Sequence, residues 1–155
     1  MLFRSKTLLI VFHTGGVKTA QMAEAVARGA AGETGVRVVV KRCAEAGPED
    51  VLAADGLILG TPENFGYMSG MMKDFLERVF YACEGKVNGR PWALFVGAGL
   101  DGAGAVGSVE RIVTGLRLEK RAEPVIGLKE LTPEVLARCE ELGAALAAGL
   151  ALGVF

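Results

Sequence analysis

The chain has 155 residues with a formal net charge of -1, and hydrophobic residues make up 51% of it against 23% charged. That composition folds into one globular domain over residues 1–155 and excludes intrinsic disorder. The near balance of 17 Lys plus Arg against 18 Asp plus Glu removes any bulk attraction to nucleic acid or to an anionic membrane. Cys43, Cys83 and Cys139 form no CxxC pair, and there is a single histidine. A disulfide framework or a histidine-rich metal site is therefore not expected. The start of the chain lacks the apolar core and cleavage site of a signal peptide, and no stretch is long enough to span a bilayer. These features describe a reduced, soluble, cytoplasmic protein.

The first element is the apolar run Thr7-Leu8-Leu9-Ile10-Val11-Phe12, short and rich in strand formers, as expected of a strand buried on both faces. Met22, Val26 and Ala30 then recur at a spacing of four, the stripe of an amphipathic helix closed by Gly32 and Gly35. Val36 to Val40 reads as a second strand and Pro48 to Ala54 as a short helix. Gly56 to Gly60 is a third strand, Met68 to Ala82 a strong helix, and Trp92 to Val96 a fourth strand. A helix from Ala105 to Leu116 and a weaker strand at Pro124-Val125-Ile126 follow. Thr132-Pro133-Glu134 opens the last helix with Thr as its cap. The apolar tail from Leu146 to Phe155 either packs that helix on the sheet or forms a subunit contact. Strands and helices alternate throughout, which implies an α/β fold with a parallel, doubly wound sheet of five strands. Ligands on such sheets bind beyond the carboxyl ends of the strands.

Three loops at those ends could carry chemistry. In Phe12-His13-Thr14-Gly15-Gly16-Val17-Lys18-Thr19 the glycines let the backbone wrap an anion, the threonines add hydroxyls and Lys18 adds a charge. It is not a Walker motif, since GxxxxGK[ST] is missing. The second, residues 60–70, mixes backbone amides, Asn64 and the aromatic side chains of Phe65 and Tyr67, a mixture suited to a flat ring with a polar edge. In the third, Gly97, Gly99 and Gly102 spell GxGxxG, with Glu119 near the acidic spacing of a dinucleotide site. That motif belongs to an opening strand, however, and this one follows the fourth. A glycine loop along the edge of another ligand is the better reading.

The stretch Val11 to Val26 resembles the phosphate loop and first helix of flavodoxin-like FMN proteins. Gly60-Thr61-Pro62-Glu63-Asn64-Phe65-Gly66-Tyr67-Met68-Ser69-Gly70, running on to Lys73-Asp74-Phe75-Leu76, is similar to the second flavin loop of NAD(P)H-dependent FMN reductases and quinone reductases. The resemblance implies a flavodoxin-like sheet of order 2-1-3-4-5. It also implies FMN as cofactor, with Thr14, Gly16, Val17, Lys18 and Thr19 on its phosphate. Pro62, Glu63, Asn64, Phe65 and Gly66 would meet the isoalloxazine, and Gly97, Ala98, Gly99 and Asp101 its pyrimidine side. The first loop departs from the family by losing a hydroxyl and gaining Lys18. Glu63 also departs, and a carboxylate pointing inward would disfavour an anionic reduced flavin.

Because the flavin performs the chemistry, no side-chain nucleophile or acid–base pair is expected, and no metal. The implied activity is an oxidoreductase that takes hydride from NAD(P)H and reduces quinones, free flavin or similar acceptors, working as a homodimer or homotetramer. The alternative is a flavodoxin-type electron-transfer protein with no substrate of its own. Such carriers are usually strongly acidic, which the charge of -1 does not match. His13 either donates a proton or satisfies a strand end. Tyr67 either stacks on substrate or covers the helix surface.

Overall fold

The computed structural model describes residues 5–155. Residues 1–4, the start of the segment in which no leader was expected, lie outside the described residues. The elements in order are β1 (Lys6–Phe12), α1 (Lys18–Ala30), β2 (Val36–Arg42), α2 (Pro48–Ala53), β3 (Gly56–Asn64), β4 (Tyr67–Met68), α3 (Gly70–Cys83), β5 (Pro91–Ala98), α4 (Ala103–Gly115), β6 (Glu119–Lys120), β7 (Val125–Leu128) and α5 (Pro133–Leu152).

The alternation of side chains along the strands divides the molecule into two cores. Leu8, Ile10, Ile58, Ala93 and Phe95 face α1 and α5 on one side of the sheet. Leu9, Val11, Leu57, Leu59, Leu94 and Val96 meet the residues of α2, α3 and α4 on the other. Every residue of β5 is buried, which explains its uninterrupted apolar sequence. The parallel path runs β2-β1-β3-β5-β6, which keeps the expected doubly wound class but differs slightly from the order 2-1-3-4-5. Two departures were not foreseen. The fifth strand position is shared by β6 and β7, both parallel to β5, and β4 adds an antiparallel partner to β3.

Boundaries also shift. α1 ends at Ala30 with Ala31 still in the right-handed region, so neither Gly32 nor Gly35 closes it through a left-handed turn. β3 continues four residues past Gly60, and α3 starts at Gly70 rather than Met68. Thr132 does cap α5, its hydroxyl accepting from the Val135 amide at 3.2 Å. The apolar tail is the end of that helix as far as Leu152, with Leu142, Leu146 and Leu150 buried. Gly29 and Gly143 allow α5 to lie directly on α1. A β-carbon at either would overlap the backbone of Glu140 or of Val26. The three cysteines are buried and free, and burial pushes the thiols of Cys43 and Cys139 up to about 12 and about 11. No helix among the described residues is long and apolar enough to cross a membrane.

Candidate functional site

The chain leaves β1 towards β2 on one side and returns as β3 on the other. The switch point therefore lies between β1 and β3. Their carboxyl ends are aligned, Phe12 opposite Gly60 and Pro62 opposite Gly97. All three loops singled out in the sequence emerge along this one edge.

The first loop is rich in unmet donors. The His13 amide donates to the Gly60 carbonyl at 3.0 Å, but the backbone amides of residues 14–20 have no acceptor among the described residues. Val17 caps α1 without a side-chain hydrogen bond, so the first turn of the helix presents free N–H groups and the positive end of its dipole. Thr19 is 3% exposed, and its hydroxyl has no partner among the described residues. A β-carbon at Gly97 would lie 2.8 Å from that hydroxyl oxygen, so glycine is what keeps the space open. Thr14 is different, since its hydroxyl donates to the Gly16 carbonyl at 2.6 Å and shapes the loop. Lys18 also departs from expectation. Its Nζ donates to the Ala98 carbonyl at 2.9 Å and ties the first loop to the third.

The second region is a hairpin rather than an irregular loop. β3 and β4 pair Asn64 with Tyr67 and Glu63 with Met68, leaving Phe65 and Gly66 as a two-residue turn. Both have positive φ, 54° and 69°, the pattern of a type I′ turn. Asn-Gly is the usual choice there, so Phe65 carries backbone strain with its side chain wholly in solvent. Beneath the turn three hydroxyls are all partnered. The buried Thr61 hydroxyl donates to the Pro62 carbonyl at 2.8 Å and accepts from the Ser69 amide at 3.0 Å. Ser69 Oγ accepts from the Met72 amide and caps α3. Ser108 Oγ accepts from the Met68 amide and donates to the Ala105 carbonyl.

Glu63 does not present a free carboxylate. Its oxygens accept from the amides of Gly102 and Ala105 at 3.3 and 3.2 Å and so cap α4. In the third loop Gly97 and Ala98 end β5, and Asp101 accepts from the Ala103 amide at 3.0 Å. Gly99 has open space where a side chain would be, and Gly102 takes a left-handed φ of 79°. Glu119 pairs with Pro91 at the opposite end of β5, which removes the acidic partner of the dinucleotide reading. Burial, then the charge of Arg42, lowers the His13 pKa from its ordinary value, which favours the neutral imidazole.

The structure thus brings Thr14, Gly16, Val17, Lys18 and Thr19 to one edge with Pro62 to Gly66 and Gly97 to Asp101. Sequence reasoning missed Thr61, Ser69 and Ser108, which brace the hairpin. Ser69 had a signal, a serine three residues before the amide it caps. Thr61 and Ser108 had none, since their partners are set by tertiary contact. The α3–α4 groove holds cavities of about 560 and 410 Å³. It runs along Tyr67, Lys73 and Arg111, and none of residues 13–19 or 97–102 lines it.

Sheet order, switch-point loops and open first-turn amides define a flavodoxin-like protein. Residues 44–118 match the sequence profile of the NADPH-dependent FMN reductase family. A flavodoxin of Aquifex aeolicus (strain VF5) is 39% identical over 97 residues, 63% of this chain and 52% of that relative. An NAD(P)H dehydrogenase (quinone) of Acidithiobacillus ferrooxidans (strain ATCC 53993 / BNL-5-31) is 34% identical over 110 residues, 57% of this chain and 55% of that relative. The matches span about half the length of these curated relatives. Among solved structures, a flavodoxin from the domain Archaea superposes with a TM-score of 0.83 at 20% identity, covering 93% of this chain and 98% of that one. A WrbA-like flavodoxin from Agrobacterium tumefaciens gives 0.78 at 22%, covering 94% and 98%. The flavodoxin-like fold is borne out, and over residues 44–118, which contain the second loop, the resemblance to the NADPH-dependent FMN reductases is borne out as well.

Proposed function

We propose that the chain, as one domain, binds FMN at the switch point and is an oxidoreductase. It takes hydride from NADH or NADPH and reduces a quinone, free flavin or similar small acceptor. The observation that carries this reading is the run of unpaired amides at residues 14–20 beside the unpartnered Thr19 hydroxyl, the donor set that a phosphate takes. When bound, FMN supplies the redox chemistry, accepting two electrons and a proton as hydride and passing them on.

The chain's own residues do the holding. The amides of Thr14, Gly16, Val17, Lys18 and Thr19, with the Thr19 hydroxyl, bind the phosphate. The hairpin residues Pro62, Glu63, Asn64, Phe65 and Gly66 border the ring system, and Gly97, Ala98, Gly99 and Asp101 its pyrimidine side. No side chain is assigned a nucleophilic or acid–base step. Val17, Phe65, Tyr67 and Leu100 leave an apolar rim around this edge, which supports a homodimer or homotetramer with the rim at the contact. Cytoplasmic localisation belongs to the same reading.

The test is the visible spectrum of purified protein and titration of the stripped protein with FMN, followed by steady-state oxidation of NADH and NADPH with a quinone acceptor. Stoichiometric FMN binding with turnover supports the reductase. FMN binding without turnover favours the second reading, an electron carrier, for which the Aquifex aeolicus relative speaks. Protein that ignores FMN refutes both.

A further inference from the structure

Lys18 is the residue by which the first loop departs from its family, and the structure puts its side chain somewhere the resemblance does not. The aliphatic stem lies over Gly97, where a β-carbon would stand 3.6 and 3.7 Å from Cδ and Cγ. Its Nζ reaches the third loop and donates to Ala98. The same carbonyl accepts from the Lys129 amide at 2.9 Å, so its two lone pairs are both engaged. The ammonium is therefore held at one point of the third loop by a contact spanning 80 residues of sequence.

No carboxylate neutralises it. Among the described residues Lys18 has no ion pair. Glu63 and Asp101, the acids of the second and third loops, are bound to the amides of Gly102, Ala105 and Ala103. A hydride delivered to an isoalloxazine brings two electrons and one proton and leaves one net negative charge on the ring. A fixed cation beside the pyrimidine, where that charge collects, favours the reduced form.

We propose that Lys18 is a redox-tuning residue, its ammonium fixed on the third loop to stabilise reduced FMN from the pyrimidine side instead of neutralising the phosphate. This rests on the FMN reading above. Burial lowers the lysine pKa, consistent with a charge in a partly desolvated position where its field is less screened.

The experiment compares the full chain with Lys18→Met, Lys18→Gln and Lys18→Arg. Affinity for FMN and for riboflavin is read by fluorescence titration, and the two-electron potential of bound FMN by spectrophotometric redox titration. Circular dichroism verifies folding, and Gln keeps a donor for Ala98 should Met loosen the loop. Met and Gln are expected to lower the relative affinity for reduced over oxidised FMN by about tenfold, or ~30 mV. Both should weaken FMN and riboflavin by the same factor, and Arg should restore the potential. An unchanged potential, with FMN weakened about tenfold more than riboflavin, overturns the inference and returns Lys18 to the phosphate. If the unaltered chain binds neither flavin, the FMN reading fails, and this inference with it. If it binds both and only the potential fails to move, the FMN reading stands and the inference falls alone.

Discussion

The loop after β1 and the hairpin after β3 leave neighbouring strands at the same edge of the sheet, yet they treat hydrogen bonds in opposite ways. In the hairpin, the side chains of Thr61, Ser69, Glu63 and Ser108 are all committed to backbone groups. In the first loop, a run of amides and the Thr19 hydroxyl wait without acceptors. Committed groups fix a shape, whereas uncommitted ones at a helix start await an anion. The contrast separates scaffold from binding surface within a single site.

Mutations can break that contrast. The largest effect is expected at Gly104, where a β-carbon would overlap the Gly66 carbonyl oxygen. Gly104→Val should drive the hairpin off α4 and lower stability by about 3 kcal/mol in urea denaturation. The two buried threonines give a sharper test, because the same change should act differently at each. Thr61→Val leaves the Ser69 amide without its acceptor and should cost about 2 kcal/mol of stability. Thr19→Val removes no internal bond, so stability should stay within about 0.5 kcal/mol while FMN affinity falls about tenfold. Equal stability losses at both sites would erase the distinction.

Glu63→Ala removes the cap on α4 and should cost about 1 kcal/mol, read as a lowered urea midpoint. The smallest effect provides a background far from the site. Burial raises the Asp50 pKa, but hydrogen bonds from Lys41 and the Gly47 amide outweigh it and hold the carboxyl below its ordinary value. Its stabilisation is present above the unfolded carboxylate range, roughly pH 4, and is lost as pH falls through the folded value. Asp50→Asn should flatten that part of the stability–pH curve and leave FMN affinity untouched.

Much of this architecture was legible in the sequence because the buried strands are continuous apolar runs, Leu8 to Phe12 and Trp92 to Val96 among them. The gathering of three loops at one edge followed from strand–helix alternation alone. The hairpin was not legible. Its turn needs two positive φ values, and Phe65 is a residue that sequence rules do not place there. The ties between loops were hidden for a different reason. Lys18 to Ala98 spans 80 residues and Glu63 to Gly102 spans 39, beyond any local pattern.

The glycine contacts between α1 and α5 have a mechanical consequence. α1 has 13 residues, so at 1.5 Å each it is a rod about 20 Å long with the open amides of the proposed anion site at one end. Gly29 lies near its far end, seated against the backbone of Glu140. A tilt of about 3° pivoting there swings the amides by about 1 Å, and displacements of that size are enough to spoil a productive geometry. The aim of the cradle is therefore set from the opposite end of its own helix, by two residues that have no side chain to lose.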